Sequence, residues 1–189
     1  MSCPHCVRGF PLPGEPKGVL RTDLMLDAYL TSPNASSEQW TPASRAVVLL
    51  TDIFGLNLPN PKLLADRFSQ ELGCDVWVPN FFDRIYCWGG SLLYYIAQTH
   101  AIESAVIVHP GGYKDEQLKA IRVPKQIDNA EAIFASRKGK DNFVEYEFKA
   151  YPGTAHGFAA RPNLALPAVK EGFERAFEQA VNWFKKTLF

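Results

Sequence analysis

Apolar residues recur at two different periods along this chain, and the change from one period to the other marks out its elements. Residues 45–52 (RAVVLLTD) form an unbroken β-branched and leucine run. That pattern suits a strand buried on both faces, as in a parallel sheet. Residues 61–72 place Leu63, Leu64, Phe68 and Leu72 at helical spacing, and Gly73 supplies the stop. Residues 75–79 (DVWVP) and 104–109 (SAVIVH) read as further buried strands. Residues 25–30 read as a short strand before a Ser-, Pro- and Asn-rich loop over 32–44. Helices are predicted over 90–100 and 125–137, the second with Ile127, Ala130 and Phe134 on one stripe. Residues 144–151 (VEYEFKAY) alternate as a strand. The clearest element is last. Val169, Phe173, Phe177, Val181 and Phe184 recur at three- and four-residue steps, which predicts a helix with one apolar face.

Strands alternating with helices predict an α/β fold, a mostly parallel sheet flanked by helices, in a single domain over 1–189. Sites in such sheets form at the carboxyl ends of strands. That directs attention to the loops after Asp52, near Cys87 and around His156. The composition agrees with a globular chain: 47% of residues are hydrophobic, enough for a core without staples. With 20 basic and 20 acidic side chains the net charge is zero, which argues against a nucleic-acid partner. No apolar run approaches the roughly 20 residues that span a bilayer. The start lacks the apolar stretch of a secretory signal, so the expectation is a cytoplasmic protein with no membrane partner. Four scattered cysteines (Cys3, Cys6, Cys74, Cys87) do not make a disulfide framework. Cys3 and Cys6 lack the second ligand pair of a structural zinc site, so no metal is expected, and Cys74 reads as packing.

Three segments carry candidate chemistry. Ile85-Tyr86-Cys87-Trp88-Gly89-Gly90 has the form of a nucleophile elbow, a sharp strand-to-helix turn with small residues after the nucleophile. A helix N-terminus there favours the thiolate. The Trp88 N–H would face the developing oxyanion. Tyr151 to Phe158 (YPGTAHGF) presents His156 in a glycine-rich loop after a strand, in the chain order of a base following its nucleophile. Thr51-Asp52-Ile53-Phe54-Gly55 follows a buried strand, and its N–H groups could supply a second oxyanion donor. Plainer roles fit each residue too. Cys87 could be a small buried hydrophobe, His156 a loop histidine, Asp52 a loop cap, and Phe54 and Trp88 core.

Together these segments resemble the dienelactone hydrolase family of α/β-hydrolases, particularly its fungal members. The likeness runs from Cys3-Pro4-His5-Cys6 through Asp52-Ile53-Phe54-Gly55, Tyr86–Gly90, His109-Pro110-Gly111 and residues 153–163 to Trp183-Phe184-Lys185-Lys186. The resemblance implies Cys87 as nucleophile and His156 as general base, with the backbone N–H groups of Ile53 and Trp88 as oxyanion hole. It places Asp52 where bacterial relatives carry a Glu that handles the thiol proton. Arg161 falls one residue from their arginine for the substrate carboxylate; apart from the resemblance, Phe54 could line a substrate pocket. The implied reaction is hydrolysis of a small ester or lactone through a thioester, without metal or cofactor.

The chain departs from the family pattern in three places. Ile85 stands where the family has a glycine. Only residues 80–86 connect the 75–79 strand to Cys87, and seven residues cannot make a right-handed crossover between parallel strands. Finally, Pro124 runs directly into the helix predicted over 125–137, so the strand that should carry the triad acid is expected to be missing. Asp128 is the nearest substitute by chain order, but on that predicted helix. These apparent deletions leave a second reading: a shortened hydrolase relative that binds without turnover. Sheet edges left open by missing strands would also invite self-association.

Overall fold

The computed structural model describes residues 9–23, 26–33, 44–52, 54–80, 96–97, 99, 101–108, 125–126 and 131–189. The described strands form two sheets. The first has the order β1-β2-β4-β3, from β1 (Val19–Arg21), β2 (Ala28–Thr31), β3 (Ala46–Val48) and β4 (Asp75–Pro79). The second has the order β5-β6-β7, from β5 (Ala105–Val106), β6 (Lys125–Gln126) and β7 (Tyr146–Glu147). β3 lies parallel to β4, and β5, β6 and β7 are parallel throughout. β1 and β2 add an antiparallel ribbon to β4, so the sheet is mixed, with parallel pairing around the site.

Among the described residues, three α-helices accompany the strands: α1 (Asn60–Leu72), α2 (Glu131–Ala135) and α3 (Pro167–Leu188). α1 ends where its sequence requires. Gly73 takes a left-handed φ of 64° and its N–H closes on the Ser69 carbonyl. The α3 stripe is buried as its spacing predicts, at Val169, Phe173, Phe177, Val181 and Phe184. Phe68 of α1 meets Phe177 with ring centroids 4.6 Å apart and Phe184 edge-on at 6.2 Å. α3 also reaches the second sheet. Gln179 donates to Glu147, Lys186 to Glu145, and the Thr187 hydroxyl to Ser104. One helix therefore underlies both sheets.

Two expectations change. The 125–137 segment is not one helix: Lys125–Gln126 is a strand held between β5 and β7, and the helix among the described residues is Glu131–Ala135. Backbone pairing on two sides makes a strand of a polar dipeptide that has no apolar pattern. β3 itself is likewise not buried on both faces, since Val47 is 6% exposed and Val48 56%. The 90–100 helix and most of the 32–44 loop fall outside the described residues. Among the described residues, no helix is long and apolar enough to cross a membrane.

Candidate active site

Strands of both sheets line a cavity of about 210 Å³. Its walls include every residue from Val47 to Asp52 on one side and Val106 to Val108 on the other. Alternate residues of a strand point to opposite faces. Consecutive lining residues therefore place the cavity against strand edges, in the plane of the sheets. Phe177 and Phe184 of α3 form part of its wall, and α1 contributes Leu64 and Phe68. His156, Asp52 and Arg161 close one end.

Asp52 sits where the chain turns after β3. Its Oδ1 accepts the Phe54 N–H at 3.0 Å, and its backbone carbonyl accepts the Gly55 N–H at 3.0 Å. This is the Asx turn that a strand-end aspartate favours. The other carboxylate oxygen accepts Nε of Arg161 in an ion pair. Arg161 is held from several sides. Its guanidinium carbon lies 5.0 Å from the Phe54 ring centroid. A Cβ on Gly157 would stand 3.0 Å from its Nη2, and a Cβ on Gly9 would stand 2.9 Å from its Cδ. Gly157 also has φ of 94°, so both backbone shape and space call for glycine there. The Arg161 side chain is 2% exposed.

The loop carrying His156 follows β7 and is built from tight turns. Thr154 donates its hydroxyl to the Tyr151 carbonyl, Phe158 N–H reaches the Ala155 carbonyl, and Arg161 N–H the Gly157 carbonyl. Phe158 is buried with Val169 and Ala176, which anchors the loop to α3. Asn60, 1% exposed, fastens the far end. Its side-chain amide donates to the carbonyls of Ala160 and Phe10, and its Oδ1 accepts the Leu12 N–H. Asn60 was not a sequence candidate. Its place in Pro59-Asn60-Pro61 at a helix start was the available signal.

The structure thus brings together Asp52, Phe54, His156 and Arg161. Cys87, Ile53, Trp88 and Asp128 lie outside the described residues, as do Cys3 and Cys6. Cys74 is buried beneath the first sheet, and burial raises its thiol pKa, with the Asp75 charge adding to the effect. Among the described residues, no cluster of His, Cys, Asp and Glu is arranged to hold a metal ion.

Comparison with known proteins points one way. Residues 86–188 match the model of the Dienelactone hydrolase family. The chain is 23% identical to "Hydrolase tropI" of Talaromyces stipitatus, with 96% of this chain and 94% of that protein covered. It is 24% identical to "Carboxymethylenebutenolidase homolog" of Homo sapiens, over 76% of this chain and 83% of that one. A solved structure of a dienelactone hydrolase-like promiscuous phosphotriesterase from metagenomic libraries shares the fold, with TM-score 0.57 and 15% identity. That likeness covers 92% of this chain and 98% of the other. The alignment to the Talaromyces protein runs over 246 positions, more than the 189 residues of this chain. That relative therefore carries segments to which nothing here corresponds.

Proposed function

Since the chain belongs to the dienelactone hydrolase family, we propose that it hydrolyses small esters or lactones with Cys87 as nucleophile and His156 as general base. The supporting observation is the cavity where the carboxyl ends of β3 and β5 meet the loop that follows β7, with His156, Asp52 and Arg161 at one end. In this reading the Cys87 thiol passes its proton to His156, and the thiolate attacks the carbonyl carbon. The N–H groups of Ile53 and Trp88 take the oxyanion charge. Collapse of the tetrahedral adduct expels the alkoxide, which recovers the proton from His156 and leaves a thioester. His156 then removes a proton from water, which attacks the thioester and releases the acid and the thiol. Asp52 and Arg161 wall the substrate, while Phe54 packs on the Arg161 guanidinium and is not among the described lining residues.

Asp128 becomes a stronger candidate for orienting His156. It follows β6 by two residues, and β6 is a true strand parallel to β7. In parallel sheets the residues of a site are carried past the carboxyl ends of strands, and in sequence Asp128 follows this one.

The deciding experiment follows hydrolysis of a cyclic enol lactone and a small activated ester by this chain and by Cys87→Ala. Loss of about three orders of magnitude or more in the variant is expected. Equal rates in the two proteins overturn the assignment. The segments absent relative to the Talaromyces protein favour the second reading, a binding protein without turnover. That reading requires Cys87 to be alkylated no faster than a free peptide thiol.

A further inference from the structure

We infer that Gly172 and Gln179 of α3 are positioning residues for His156: they seat the loop that carries it and so set where the imidazole stands. This rests on the hydrolase reading above, in which His156 is the base. Ala168, Gly172, Arg175 and Gln179 follow one another at three- and four-residue steps, so they share one face of α3. That face runs along the loop. A Cβ on Gly153 would stand 3.0 Å from the Ala168 Cβ. A Cβ on Gly172 would stand 2.5 Å from Cγ2 of Thr154 and 3.6 Å from Cβ of Tyr151. Glycine is a poor helix former, yet Gly172 lies inside a 22-residue helix. What it supplies there is a notch, filled by the Thr154 methyl two residues before His156.

Gln179, 8% exposed, braces the entrance to the same loop. The Tyr151 hydroxyl donates to its Oε1, and its Nε2 donates to Glu147 at 2.6 Å. Glu147 closes β7 and Tyr151 opens the loop, so one amide ties both to α3. Only an amide can accept from the first and donate to the second without bringing a charge. Beyond His156 the chain returns to the same support, because the Phe158 and Tyr151 rings pack with centroids 5.6 Å apart. Both flanks of His156 therefore rest on each other and on α3. A misplacement of about 1 Å in a reacting group costs on the order of a hundredfold in rate, so a seat this close bears on turnover.

The test follows hydrolysis of para-nitrophenyl acetate by the whole chain, well below the unfolding temperature of every variant. Gly172→Ala drives a methyl into Thr154, and kcat should fall by about tenfold or more with KM within about twofold of native. Adding Thr154→Ser removes the colliding methyl and keeps the hydroxyl that donates to the Tyr151 carbonyl. That double variant should regain kcat to within about threefold of native. Gln179→Leu should lower kcat in the same sense. A lower melting temperature with kcat unchanged, in either single variant, makes that residue structural only and overturns its part. Failure of Thr154→Ser to restore kcat overturns the notch. If Gly172→Ala does not fold, Gln179→Leu decides by the same split. If the native protein turns over no ester, the hydrolase reading fails. The seat is then read from the His156 Cε1–H proton resonance, assigned with His156→Gln. A shift of that resonance in whichever variant folds supports the seat, and an unmoved resonance overturns it.

Discussion

Replacing Asn60 by alanine strands three backbone groups that its side chain now satisfies, the Leu12 N–H and the carbonyls of Phe10 and Ala160. The expected cost is about 2–4 kcal/mol in equilibrium denaturation. Because Ala160 adjoins Arg161, the same change should also raise KM for any ester turned over. Tyr29 offers a pH test. Burial, with the hydrogen bond to Asp66 adding to it, holds the phenol above its ordinary pKa of 10.0. An unfolded phenol ionises near that value and the native one does not. The contribution is therefore intact below pH 10 and lost as pH rises towards the folded value. Tyr29→Phe should cost about 1–2 kcal/mol at neutral pH. It should also flatten the decline between pH 8 and 11, which urea titrations at the two pH values would read. An unchanged decline would rule Tyr29 out as its source. Among the residues lining the cavity, Asp52 and His156 were legible as candidates because a strand-end carboxylate and a glycine-flanked histidine each carry a local signature. The Asp52–Arg161 pair was not, because 109 residues separate them and no local pattern encodes that contact.

α1 and α3 were legible for a physical reason. Each is long enough for its apolar period to repeat, and each buries the face that the period defines. Gly73 belongs to the same account. A Cβ there would meet nothing within 4 Å, so its only demand is the left-handed backbone. Gly73→Ala should therefore cost about 1 kcal/mol by thermal unfolding. A loss near zero would mean that the cap relaxes. β6 was illegible because its two residues have no apolar pattern, and strands on both sides decide its conformation. The spacing of Ile127, Ala130 and Phe134 pointed to a helix through it, whereas Lys125–Gln126 is strand and, among the described residues there, Glu131–Ala135 is helix. That error mattered for function. It hid the strand beyond which Asp128 follows.

Both sheets carry consequences for association. Val19 and Leu20 on β1, the outermost strand of the first sheet, are more than half exposed. Among the described residues, β1 pairs only with β2. Strands of this kind template pairing with other chains. Light scattering across a concentration series should show self-association that a lysine at position 19 suppresses. A monomer at every concentration would dismiss the idea. α3 binds these parts together, touching α1 through Arg67–Glu174 and Phe68–Phe177 and the second sheet through Glu147, Glu145 and Ser104. That arrangement bears on how the protein is made. α3 follows both sheets in the chain, so on the ribosome the strands carrying Asp52 and the loop carrying His156 emerge before the helix that underlies them. The nascent first sheet must wait with Leu64 and Phe68 uncovered, and the cavity comes into being only after α3 has been synthesised.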